Sequence, residues 1–192
     1  MKRLVLNLLI LISAASLSSC GYNSMVEKQE AVEGQWAQVQ NVYQRRMDLI
    51  PNLVETVKGV ANFEKGTLEA VIQARAEATK TTINASDLTP EKVAQFQKAQ
   101  EGLTGALSKF MSIVENYPDL KANQNFSELQ AQLEGTENRI TVERMKFNET
   151  VQEYNTYIRK FPNNMTAGMF GFEKKGYFEA TAGADKAPTV KF

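Results

Sequence analysis

The stretch FSELQAQLEGTENRITVERMKFNETVQEYNTYIRKFP, residues 126–162, decides the fold class. Its apolar residues Phe126, Leu129, Leu133, Ile140, Phe147, Val151, Tyr154, Ile158 and Phe161 recur in steps averaging about 3.5 residues per turn, until Pro162 stops the pattern. A stripe of that period buries one helix face against nearly parallel neighbours, as in a bundle. Upstream, Val93, Phe96, Leu103, Leu107, Phe110, Val114 and Tyr117 form a second stripe, which Pro118 interrupts. Thr89-Pro90 reads as its N-cap and first turn.

The first stripe comprises Val32, Trp36, Val39, Tyr43, Ile50, Leu53, Val57 and Val60, opened by a capping box at Ser24 and Glu27. Pro51 removes the hydrogen bond to the Met47 carbonyl. Because the stripe keeps its phase through the proline, a kink is expected there, with Gly59 to Gly66 as a second place to break. Leu68, Val71, Ile72 and Arg75 continue helical spacing to about Thr79, and residues 81–89 read as a loop. A second capping box is expected at Asn125 and Glu128. No period-two strand is legible before residue 162. The fold expected is an all-α, up-and-down four-helix bundle with a kinked first helix. The tail 163–192 contains Phe170, Phe172, Tyr177, Phe178 and Phe192, too many aromatics for ordinary disorder. It reads as an irregular segment laid on the bundle, with a peptide-like partner surface as the alternative.

The N-terminus carries an address. Lys2 and Arg3 precede an apolar run from Leu4 to Ile12, too short to span a bilayer, and small residues lead into Leu17-Ser18-Ser19-Cys20. The layout resembles a bacterial lipobox, which implies cleavage before Cys20 and acylation of its thiol. The domain reading is therefore a cleaved signal at 1–19, a lipidated N-terminus and tether at 20–24, a bundle at 25–162 and a packed tail at 163–192. Gly21 after the cysteine resembles the sorting pattern for the outer membrane, facing the periplasm, in a cell that has one.

Composition narrows the chemistry. Removing residues 1–19 leaves 20 basic and 22 acidic side chains, so no excess positive charge exists to neutralise phosphates, and no nucleic-acid partner is expected. The chain has no histidine, and acylation would take its one cysteine. The usual general base, transition-metal ligand and nucleophile are then missing. No metal or cofactor is expected. Glu27, Glu30 and Glu33 share a three-residue spacing but lack the histidines of a di-iron bundle, so they read as a solvated face.

The remaining candidate site is polar. Arg45, Arg46, Asp48 and Asn52 cluster around Pro51, and Glu137, Arg144, Asn148 and Asn155 recur at seven, four and seven on the last helix. Two readings fit: a buried ion-pair and amide network that fixes helix register, or a ligand or partner site at a kinked helix. Two functions follow. One is a membrane-anchored interaction or scaffold module with an envelope protein partner. The other is an envelope hydrolase or transferase using carboxylates and arginines.

The run from Gln44 to Gly59, containing Arg45-Arg46-Met47-Asp48-Leu49-Ile50-Pro51-Asn52-Leu53-Val54, resembles the central signature of the LemA family. The resemblance continues through Trp36, Ala74-Arg75, Glu115 to Asn123, Thr136-Glu137-Asn138, Arg144, Phe147-Asn148, Tyr154-Asn155, Phe161-Pro162 and Tyr177-Phe178. It covers almost all of residues 22–192. Phe63 departs from the histidine usual before the glutamate, and Phe147 from a common tyrosine. The resemblance implies a membrane-attached four-helix bundle. It supplies no reaction.

Overall fold

The computed structural model describes residues 2–59 and 63–180, with side chains from residue 21 onward. The lipobox with Cys20, and the positions Val60 and Phe192, lie outside the side chains so described. The order is α1 (Lys2–Lys58), α2 (Lys65–Lys80), a 3-10 turn (Ala85–Asp87), α3 (Pro90–Val114), α4 (Pro118–Lys121), α5 (Gln124–Arg159) and α6 (Asn163–Phe170). The chain is all-α, with no strand among the described residues.

α1 lies mainly against α5, and α2 against α3. In the full chain α1 runs through Ser24, so the Ser24–Glu27 box does not start a helix here. α1 also passes through Pro51 and ends at Lys58, where the Gly59–Gly66 segment begins. The Met47 carbonyl that Pro51 cannot serve is not left bare: Arg75 Nε on α2 donates to it at 2.9 Å. A side chain from the neighbouring helix thus replaces the lost backbone donor.

Thr89 caps α3 by accepting from the Lys92 amide, with Pro90 in the first turn. α5 is capped two residues earlier than expected. Asn123, not Asn125, accepts from the Phe126 amide, at 3.1 Å. α3 ends at Val114, and Pro118 opens the short α4 instead of closing α3. Two expected core positions face solvent: Ile72, 46% exposed, and Phe161, 80% exposed.

The apolar interior divides into two clusters. One gathers Trp36, Tyr43, Phe96, Phe147, Val151 and Tyr154, and the other Met47, Ile50, Leu53, Phe110, Phe126 and Leu133. On every long helix of the seam, the residues between the two clusters are polar: Arg46 on α1, Gln100 on α3, and Thr136 and Glu137 on α5.

Candidate functional site

Arg46 is the centre of that polar layer. Only 2% of it is exposed, and its guanidinium donates to four acceptors. Nη1 reaches Thr104 Oγ1 at 2.9 Å and Glu137 Oε2 at 2.8 Å, while Nη2 reaches Gln100 Oε1 at 2.6 Å and the Gln100 carbonyl at 3.3 Å. The cation also sits over the Tyr43 ring, 5.1 Å from its centroid. Nε has no partner. The Glu137 side chain is 46% exposed, so the ion pair runs from a desolvated head to the surface.

The rest of the α1 cluster does not join it. Arg45, Asp48 and Asn52 are exposed, and Asp48 accepts from Gln44 Nε2 one turn away at 2.7 Å. Helix geometry explains the correction. Arg46 points inward, so Arg45 and Asp48, one residue before it and two after, are turned away by roughly 100° and 200°. In a buried network of the α1 and α5 groups, Arg45 and Asp48 therefore take no part. Arg46 and Glu137 alone join the two.

Arg144, Asn148 and Asn155 serve another purpose. They hold the extended strap 173–179, which follows α6 and lies between α5 and the start of α3. Asn155 forms two bonds with Lys175: its Nδ2 donates to the Lys175 carbonyl at 2.9 Å, and its Oδ1 accepts from the Lys175 amide at 3.0 Å. Asn148 pairs in the same way with Phe178, at 2.8 and 2.9 Å. Gln97 on α3 does the same for Glu179, at 3.1 and 2.9 Å. Each carboxamide offers one donor and one acceptor, as the edge of a neighbouring strand would.

Further contacts fix the strap's depth. Arg144 donates to the Glu179 carbonyl at 2.9 Å and stacks over Phe178, 4.8 Å from its ring centroid. Tyr154 donates to the Glu173 carbonyl at 3.0 Å, and the Gly176 amide to the Leu88 carbonyl at 2.8 Å. Gly176 has no room for a side chain, because a Cβ there would lie 2.7 Å from Pro90 Cα. Phe178 fills the space over the first cluster, stacked on Trp36 at 6.0 Å and edge-on to Phe147 at 5.4 Å. Lys175 is buried, with Nζ donating to the Ser86 carbonyl at 3.0 Å; burial lowers its pKa, a shift that Glu33 and Glu173 oppose.

The chain matches the LemA family over residues 35–192. It belongs to that family. Among curated relatives of this LemA-family chain, the magnetosome protein MamQ of Magnetospirillum gryphiswaldense is 24% identical over 95% of this chain and 73% of its own length. MamQ 2 of Paramagnetospirillum magneticum is 23% identical with the same coverages. The protein LemA of Metamycoplasma hominis is 21% identical over 83% of this chain and 69% of its own.

Gln97, Gln100, Thr104 and Lys175 are the site residues that sequence reading missed. The two glutamines stood next to the apolar stripe of α3, and a buried amide there was the available signal. As for chemistry, the carboxylate of Glu137 opposes an arginine, and the amides of Gln97, Asn148 and Asn155 are committed to backbone. Among the described residues, no three His, Cys, Asp or Glu groups approach closely enough to hold a metal.

Burial pushes the Tyr154 hydroxyl up to about 12 from its ordinary 10.0, with Glu173 and Glu33 adding to the rise. Between those values the folded state holds a proton that the unfolded chain has shed, so stability should fall as pH rises from 10 to 12. A near-ultraviolet absorbance titration should find late phenols, since burial raises Tyr43 as well, and Tyr154→Phe should remove one of them. If every tyrosine ionises near the ordinary value, the seat assigned to Tyr154 is wrong.

Proposed function

We propose that this LemA-family chain is an envelope lipoprotein, held by lipid on Cys20, whose helical body works as an interaction module. The outer membrane, facing the periplasm, is its place in a cell that has one. The observation carrying this reading is the use to which the polar line of α5 is put. Arg144, Asn148 and Asn155 all bind the chain's own strap. Residues that could have formed a hydrolytic centre instead recognise backbone. Attachment through the N-terminus rests on the resemblance of Leu17-Ser18-Ser19-Cys20 to a lipobox; among the described residues no helix is long and apolar enough to cross a membrane.

The test has two readouts on the full chain in its native host. Cys20→Ser should move the protein from the membrane to the soluble exported fraction, because a chain without acyl groups loses ~0.8 kcal/mol of membrane affinity for each buried methylene. Retention of that variant on the membrane to the same extent as the wild type overturns the lipid assignment. Crosslinking in intact cells should then join the wild-type chain to a specific envelope protein, whereas a hydrolytic activity that Glu137→Gln abolishes would overturn the interaction reading.

A further inference from the structure

The described surface carries nine large exposed apolar residues, and five of them lie at one end: Tyr22, Phe161, Met165, Met169 and Phe170. Met165 is 67% exposed and Met169 79%, and their spacing of four places them on one face of α6. Tyr22 joins the patch from α1, edge-on to Phe170 at 5.0 Å and to Phe172 at 5.6 Å. Burying these side chains would be favourable, yet the protein leaves them in water. Contiguous apolar surface of that kind marks a contact site.

Two observations select the partner. The patch adjoins the anchor: a Cβ on Gly21, the residue after Cys20, would lie 3.2 Å from Asn163 Oδ1 at the start of α6. The segment that carries α6, from Asn155 to Phe172, is also basic, with the exposed Glu173 directly after it. Between Glu153 and Glu173 the chain has no acidic residue, while Arg159 and Lys160 are exposed beside Phe161. Apolar side chains flanked by cations suit the headgroup and acyl boundary of an anionic bilayer.

We propose that α6 and Tyr22 form a second membrane contact, in which Phe161, Met165, Met169 and Phe170 enter the bilayer interface while Arg159 and Lys160 meet anionic headgroups. The proposal rests on the lipid-anchor reading and deepens it. The acyl chains tether the protein, and the α6 face sets its orientation. Since α5 is 36 residues and thus about 54 Å long, the opposite end would stand far from the membrane.

The test uses the acylated full chain with Met169→Cys as its single free thiol, labelled with an environment-sensitive fluorophore. The vesicles contain phosphatidylglycerol and phosphatidylethanolamine. A second labelled variant, Asn125→Cys, reports from the far end. On vesicles the Met169 probe should shift to the blue and lose most of its emission to a lipid-borne quencher, while the Asn125 probe stays open to iodide. If the protein floats with vesicles but both probes remain in water, the α6 contact is wrong and the anchor stands. Failure to float overturns both. Shielding of the Met169 probe in the absence of vesicles would give the face to a second copy of the chain, which also overturns the proposal.

Discussion

A chain lacking residues 163–192 should melt well below the full protein and self-associate. Phe178 is 4% exposed and touches Trp36, Phe96 and Phe147, so truncation opens the first apolar cluster to water. Losing one buried phenylalanine typically costs about 3–5 kcal/mol. For a chain of this size that corresponds to about 10 °C in Tm. The amide pairs of Gln97, Asn148 and Asn155 vanish with the strap and leave their carboxamides to find water. Phe178→Ala should reproduce most of the loss without removing α6. Thermal melting and light scattering decide the matter, and a truncated chain with unchanged Tm and solubility would mean that the strap is not part of the fold.

The second large effect concerns the polar layer. Arg46→Ala should destabilise by about 2–3 kcal/mol in chemical denaturation, from the lost hydrogen bonds of a buried charged donor, since Glu137, 46% exposed, is left hydrated. Gln100 and Thr104 would lose their shared donor, and a hole would remain between the two clusters. Asp48→Ala, two residues on, should stay within about 0.5 kcal/mol, since an exposed side chain bonded to Gln44 has little to lose. Arg46 and Glu137 should be coupled, so that the double alanine variant costs less than the sum of the single ones. Arg46→Met is expected to be milder than Arg46→Ala, because it fills the space and removes the charge together. Equal losses for Arg46→Ala and Asp48→Ala would refute this account of the layer.

The helices were legible because their causes are local. Apolar period, Thr89-Pro90 at an N-terminus and the glycine-bearing segment after Lys58 each act within a few residues. The polar line of α5 was also visible as a spacing, but its partner was not. Nothing local tells whether Asn148 faces α1 or a strap thirty residues downstream, since either would satisfy a carboxamide beside an apolar stripe. Arg46 and Arg45 are chemically alike in sequence, and only the phase of the helix separates the buried one from the solvated one. Phe161 misled for a related reason: it kept the apolar rhythm after α5 had ended at Arg159. Periodicity cannot register where a helix stops.

The strap also fixes an order of events. The aromatic seat formed by Trp36, Phe96 and Phe147 is complete when α5 has emerged, but its lid, Phe178, comes later in the chain than all three. Domains begin to fold from the N-terminus while the rest is still arriving. This one must wait with that apolar seat open until the strap has followed. A chain stopped short of the strap by a nonsense codon therefore advertises its incompleteness at Trp36, which gives proteases and chaperones a means of telling unfinished copies from finished ones.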